Sequence, residues 1–155
     1  MLDAIRSFVA ELTGDERPAD GLDGEEFRIA YAALLLHAAS FEGTMEPAVR
    51  NQLRALLKQR FALDDAAVDE LIAQAIDADE KSVDLYQFTR LVGSVLDDNG
   101  RLRMVEMMWT MAYADGQASD LEEHLIWRVA DLLGVSSADR IALRNRVAEA
   151  HGKAP

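Results

Sequence analysis

Two carboxylates, Asp115 and Glu122, stand seven residues apart in the segment Ala114-Asp115-Gly116-Gln117-Ala118-Ser119-Asp120-Leu121-Glu122. A nearly all-apolar helical pattern runs into this segment, and a second helical pattern leaves it. An acid followed by Gly ends the first helix, and Glu122 falls in the first turn of the next. A negative side chain at a helix C-terminus faces the negative end of the macrodipole, which is mildly unfavourable. A cation at Asp115 is the simplest compensation. Hard cations such as Ca²⁺ and Mg²⁺ take carboxylate, carbonyl and water oxygens. The turn carbonyls near Gly116 and Ala118 would add to the two carboxylates. Glu122 has a second reading, because Ser119-Asp120-Leu121-Glu122 has the form of a capping box, with Ser119 at N-cap and Glu122 at N3. Capping explains Glu122 as well as a metal does, but it leaves Asp115 unexplained.

A weaker echo, Phe41-Glu42-Gly43, lies 73 residues earlier. Glu42 and Glu46 flank that break, and Glu42 is a candidate contributor to the same cation site. The acidic stretch Asp77 to Phe88 invites comparison with a calcium loop, but the register fails. Aligning Val83 at loop position 8 puts Ile76 at position 1, no Gly marks the bend, and Gln87 replaces the bidentate Glu. His37, His124 and His151 share no ligand-like spacing. His37 reads as a satisfied core histidine, and His124 sits on a largely polar face. Met104, Met107, Met108 and Met111 recur at helical spacing beside Trp109 and read as core. No nucleophile–His–acid order, phosphate-binding loop or dinucleotide Gly motif is present. Gly93-Ser94-Val95 lacks the second Gly and the preceding strand of a nucleophile elbow. The sequence therefore predicts no catalytic residues.

The chain of 155 residues is long enough for one domain with a sizeable core. Its formal net charge of −12 argues against nucleic acid, whose phosphates require Lys/Arg neutralisation. The same charge argues against electrostatic docking on anionic lipid. It suits a soluble protein that meets cations or basic partners, although acidity also serves solubility alone. The absence of cysteine excludes disulfides, thiolate metal sites and Cys nucleophiles. No stretch reaches the roughly 18 apolar residues of a membrane span, and the N-terminus does not read as a signal peptide. A cytoplasmic protein is expected.

These residues need helices to position them. Only three prolines occur, and β-branched runs are absent. Leu2, Ile5, Phe8, Val9 and Leu12 recur at helical spacing and predict a short amphipathic helix. A polar, Gly/Pro-containing linker follows over 14–24, so the expected organisation is an N-terminal helix and linker, 1–24, before a helical domain, 25–151. Residues 25–41 are apolar on almost every face after Arg28, the mark of a buried central helix. Pro47 fits a first turn, with Val49, Leu53, Leu56, Leu57 and Phe61 as the stripe. Asp64 or Asp65 caps a fourth helix with Val68, Leu71, Ile72, Ala75 and Ile76 inward. A fifth is expected over 83–96, with Leu85, Phe88, Leu91, Val92 and Val95 inward. Residues 101–114 form the second central helix. The next runs from Ser119 to Leu133, with Leu125, Ile126, Val129 and Leu133 inward, and Gly134 ends it. Ser136 caps the last, with Ile141, Leu143 and Val147 as its apolar positions.

The two central helices resemble an internal repeat. At the 73-residue offset Tyr31, Leu34, Leu35, Leu36 and Ala39 fall on Met104, Met107, Met108, Trp109 and Ala112. Glu42-Gly43 falls on Asp115-Gly116, and Leu53 and Leu56 fall on Ile126 and Val129. Glu122 falls on Val49, so the second copy is the better equipped for a cation.

Ala112-Tyr113-Ala114-Asp115-Gly116, then Glu122, then Val129-Ala130-Asp131-Leu132-Leu133-Gly134-Val135 is similar to the signature of the TerB family, named for tellurite resistance. The resemblance spans roughly residues 25–150. The first copy departs from the pattern at Glu42 and Val49. The resemblance implies an all-α fold, a compact bundle of seven to eight helices with two pseudo-repeated central helices. It implies a non-catalytic cytoplasmic module that works with protein partners at the cytoplasmic membrane face in tellurite or metal stress. It places a suggested metal role on Asp115 and Glu122. The alternative is an ion-independent protein-interaction scaffold with an acidic helical surface.

Overall fold

The computed structural model describes residues 24–39, 45–82, 84–114 and 118–152. The expected helix over 2–12 and nearly all of the linker lie outside them. Seven helices form among the described residues: α1 (Glu25–Ala38), α2 (Pro47–Phe61), α3 (Asp65–Lys81), α4 (Tyr86–Val95), α5 (Asp98–Ala112), α6 (Asp120–Leu132) and α7 (Ser137–Ala150). No strand is present among those residues. The all-helical expectation holds.

Short polar side chains set most of the helix starts. The Asp64 carboxylate accepts from Ala67 N at 2.8 Å, Asp97 from Gly100 N at 2.8 Å, and the Ser136 hydroxyl from Asp139 N at 3.1 Å. Each satisfies one of the orphan amides of a first helical turn. Pro47 occupies the first turn of α2, where its missing N–H costs nothing. Gly134 follows α6 with φ of 78°, the left-handed conformation that a Cβ disfavours.

α1 and α5 are the two central helices. α1 packs on α2, α3, α4, α5 and α6, and α5 packs on α1, α2, α6 and α7. Tyr31, Leu34, Leu35 and Leu36 are buried in α1, as are Met104, Met107, Met108 and Trp109 in α5. The two helices meet where the Tyr31 hydroxyl donates to Met107 Sδ at 3.0 Å. Phe27, Tyr31 and Phe61 form an aromatic cluster with centroids 5.5 to 6.0 Å apart. Burial pushes the Tyr31 phenol up, and the guanidinium of Arg60, 5.6 Å from the ring centroid, opposes that shift. The buried methionines are core, as their spacing indicated.

The outer contacts are ionic. Arg54 reaches Asp69 at 2.9 Å and Lys58 reaches Asp65 at 2.6 Å, joining α2 to α3. Arg146 pairs with Glu106 to join α7 to α5. Such exposed pairs fix register more than they add stability. His37 is half-buried at the end of α1 and pairs with Asp79 of α3. It is satisfied, as expected, but at the edge of the core.

Two expectations are corrected. The helix expected over 83–96 begins at Tyr86. The Ser82 hydroxyl donates to Asp84 O at 2.6 Å, and the Asp84 carboxylate accepts from Tyr86 N at 2.9 Å. These local bonds compete with helix before residue 86. Ile141, expected on the apolar side of the last helix, is 44% exposed, and the buried positions of α7 are Val147 and Ala148. α7 meets only α5 and α6 among its principal contacts, so its first turns lack a partner on that face.

Leu34→Ala should cost about 2–5 kcal/mol, the range for a fully buried leucine. Ile141→Ala should stay within about 0.5 kcal/mol, as for an exposed side chain. Urea melts of the two variants measure both, and a similar loss for the two would mean that Ile141 is covered in solution.

Candidate functional site

The turn between α5 and α6 carries the lead residues, and the described part of it is a helix cap. Ser119 has φ −72° and ψ 164°, the extended backbone of an N-cap. Its hydroxyl accepts from Glu122 N at 3.1 Å, and Glu122 Oε1 accepts from Ser119 N at 2.7 Å. Both arms of the capping box are formed. Glu122 is only 4% exposed, and it is the one buried ionisable acid among the described residues. The repeat offset supplies the reason. Glu122 takes the place that Val49 fills at the start of α2, and Val49 is itself buried. That position faces the core in both halves. A carboxylate there needs hydrogen bonds and positive potential in place of water. The Ser119 amide and the positive end of α6 provide them.

Asp115 and Glu42, the other two candidate ligands, lie outside the described residues. Glu46 is exposed at the N-cap of α2 and makes no side-chain capping bond. Among the described residues no group of three or more His, Asp or Glu is placed to hold a metal ion. Asp77 pairs with Lys81 at 3.0 Å, and Asp84 caps the approach to α4. Asp77 to Lys81 of the acidic stretch lie within α3 and Tyr86 to Phe88 within α4, so only residues 82–85 join the two helices. His124 stacks on the exposed Trp127, with centroids 5.5 Å apart. The His151 ring nitrogen Nδ1 lies 2.9 Å from Val147 O at the end of α7.

A second feature was not expected. α4 and α6 close together at one end and leave a groove at the other. At the closed end a Cβ on Gly93 would meet Leu133 Cδ2 at 3.3 Å, so glycine permits the approach. Arg101 fastens that end, donating to Gly93 O at 2.7 Å and Leu133 O at 3.4 Å. Toward the start of α4 an apolar groove of about 360 Å³ opens between Leu85, Tyr86, Leu125 and Leu132. Tyr86 is 57% exposed and Leu132 50%. Leu125, read from the sequence as inward, is half-buried and lines the groove wall. Arg128 and Asp84 stand on its rim, and an adjoining hollow that shares Tyr86, Thr89 and Leu132 with it is lined by Arg90 and Arg101. The sequence did carry a signal. Leu121, Leu125, Arg128 and Leu132 lie at i, i+4, i+7 and i+11, a second stripe on α6 beside its inward one.

Ser119→Ala should lower stability by about 0.5–2 kcal/mol, the usual cost of losing an N-cap oxygen. Glu122→Gln keeps an acceptor for the Ser119 amide and should cost less. If urea melts place the larger loss at Glu122→Gln, the negative charge of Glu122, and not its place in the cap, holds the turn.

Comparison with known proteins agrees with this architecture. No significant similarity to a curated protein or to a solved structure was found. The model of the family described as tellurite resistance protein TerB matches residues 28–145. That span runs from the first turns of α1 into α7 and takes in both central helices, the Ser119–Glu122 cap and the α4–α6 groove. The chain belongs to the TerB family.

Proposed function

We propose that this chain is a non-catalytic interaction module. It takes an amphipathic helix of a partner protein into the groove between α4 and α6. The observation that carries the reading is the groove itself. Tyr86, Leu125 and Leu132 offer an apolar floor and walls, and Arg128 and Asp84 stand on the rim, with Arg90 and Arg101 in the adjoining hollow. Buried apolar anchors supply affinity, and rim charges select and orient the partner. The fitting partner helix carries Leu- or Phe-sized residues at i, i+3 and i+4 and acidic residues on its flanks. This partner chemistry differs from the basic partner that net charge alone suggested, because Arg128 borders the groove and Arg90 and Arg101 the adjoining hollow. Attraction here is short-ranged, since charges more than about 8 Å away are screened at physiological salt. Among the described residues no helix is long and apolar enough to cross a membrane, and a cytoplasmic location suits the reading.

A photoreactive benzoylphenylalanine at position 132 tests it in cells, with one at the exposed Ala142 of α7 as the control. The expected product is a discrete adduct from position 132 alone. Its cross-linked peptide should show the apolar spacing and acidic flanks described. Identical products from both positions would remove the groove from the function.

A second reading rests on Glu122, a buried carboxylate at the turn that leads from Asp115. Asp115 and Glu122 would share a divalent cation, Ca²⁺ or Mg²⁺, with Glu42 as a contributor. A role in tellurite or metal stress would follow from such a site and is what the family's description suggests. Under this reading the ion stabilises the native state by preferential binding. Asp115→Asn should then be neutral or slightly stabilising in chelator and destabilising, relative to wild type, in millimolar Ca²⁺ or Mg²⁺. A urea-melt difference that is the same in both conditions would make Asp115 a structural acceptor and end the cation reading.

A further inference from the structure

The first turn of α5 holds the dipeptide Asn99-Gly100. The chain has three asparagines, and the other two, Asn51 and Asn145, precede Gln52 and Arg146. Asn followed by Gly is the pair most prone to lose its side-chain amide, because no Cβ obstructs the glycine nitrogen. Packing requires that glycine. A Cβ at Gly100 would meet Leu96 Cδ2 at 2.9 Å and Asp97 Oδ1 at 3.1 Å, and Leu96 is buried. The fold thus keeps a labile pair at the start of one of its two central helices. Asn99 is exposed. The glycine amide is occupied, since Gly100 N donates to the Asp97 carboxylate at 2.8 Å. Arg101, the next residue, donates its main-chain N–H to Asp97 O at 2.9 Å and holds Gly93 O and Leu133 O with its side chain. The labile pair is clamped on both sides.

We propose that Asn99-Gly100 is a site of spontaneous covalent modification, and that the Asp97 cap sets its rate. This goes beyond the proposed function, since it involves neither the α4–α6 groove nor a partner. The reaction needs no enzyme and no reactant but water. Gly100 N gives its proton to water and attacks Asn99 Cγ. The new N–Cγ bond closes a cyclic imide, the Cγ–Nδ2 bond breaks, and ammonia leaves. Water then adds to one of the two imide carbonyls and opens the ring, with no change of oxidation state. Opening at one carbonyl leaves an ordinary aspartate. Opening at the other leaves isoaspartate, whose main chain runs through the side-chain carbon. The capped helix opposes the first step twice. The Gly100 N–H is committed to a charged acceptor. The Cα–Cβ bonds of a helix also tilt toward its N-terminus, which turns Asn99 Cγ away from the amide that follows it. Loss of the cap relaxes both constraints. The two products act differently on α5. An aspartate at position 99 suits the positive end of the helix. Isoaspartate adds a carbon to the main chain in the first turn and breaks the hydrogen-bond register there. An opening of this turn that is otherwise reversible then becomes permanent.

Trypsin cuts after Arg90 and Arg101, so the peptide 91–101 carries Asn99 as its one asparagine. Mass spectrometry of that peptide, after incubation of the full chain at mildly alkaline pH, reads the reaction. The free peptide of the same sequence is the unprotected reference. Wild type should deamidate at least about tenfold more slowly than the free peptide. Asp97→Ala should deamidate about tenfold faster than wild type, the equivalent of one hydrogen bond to a charged acceptor. Asp97→Ser keeps a capping oxygen and should return most of the protection. Asp97→Gly removes the same oxygen as Asp97→Ala at a smaller cost in stability, and it replaces that variant if the alanine chain does not fold. Ser136→Ala removes the corresponding cap of α7 and should leave the rate at position 99 unchanged. A wild-type rate equal to that of the free peptide would overturn the proposal. So would a rate insensitive to loss of the Asp97 carboxylate. Equal acceleration in Ser136→Ala would have the same consequence, because it would assign the reaction to opening of the whole fold and not to the cap.

Discussion

Two helices with almost no solvent-facing side must be covered, and the arrangement of the other five helices among the described residues follows from that need. α1 and α5 carry apolar residues around most of their circumference, so neither can form a surface layer without exposing them. They touch each other at Tyr31 and Met107, but one neighbour covers only part of each. α1 therefore gathers α2, α3, α4 and α6 about it, and α5 gathers α2, α6 and α7. The covering helices are amphipathic, since each has one face to bury and one to leave in water. Most of the ion pairs and helix caps lie on this outer shell.

Glu122 shows what happens when a polar residue meets a position the core claims. The offset that pairs α1 with α5 also pairs Val49 with Glu122, and both side chains are buried. In the first half the position is filled by a small apolar side chain at no cost. In the second half the carboxylate stays satisfied because the position also begins a helix. There its oxygen meets the Ser119 amide and the positive end of the dipole. The cap and the proposed cation site thus draw on one side chain, and only the charge of Glu122, not its acceptor oxygen, distinguishes them.

What could be read from the sequence was what short-range chemistry decides. Asp64, Ser119 and Ser136 cap helices because their oxygens reach amides three residues on, a relation that needs no tertiary knowledge. The all-round apolar character of α1 and α5 was equally local. The start of α4 was misplaced because Ser82 and Asp84 bond their own backbone and outcompete the helical pattern. Ile141 was misplaced because periodicity shows which face could be buried, not whether anything lies against it. The α4–α6 groove depends on Gly93 and Leu133, forty residues apart, approaching within van der Waals contact. Neither residue signals that approach alone. Of the candidate metal residues, the sequence identified the capping geometry of Glu122 correctly, while Asp115 and Glu42 lie outside the described residues.

α4 is where the covering logic runs short. It is the shortest of the helices, ten residues from Tyr86 to Val95, and Gly93 pulls one end of it against α6. A groove lies on each of its flanks. The two grooves differ in what borders them. On the α1 flank the rim is mixed in sign, with Glu26 and Lys81. On the α6 flank Arg128 and Asp84 border the groove, and Arg101 fastens Gly93 O and Leu133 O at the closed end, in the adjoining hollow. Long-range repulsion keeps acidic partners from gathering indiscriminately on such a surface, and short-range attraction survives only at the groove. A partner must therefore bring both the apolar anchors and the acidic flank to bind, because either feature alone meets too little attraction to offset the net charge.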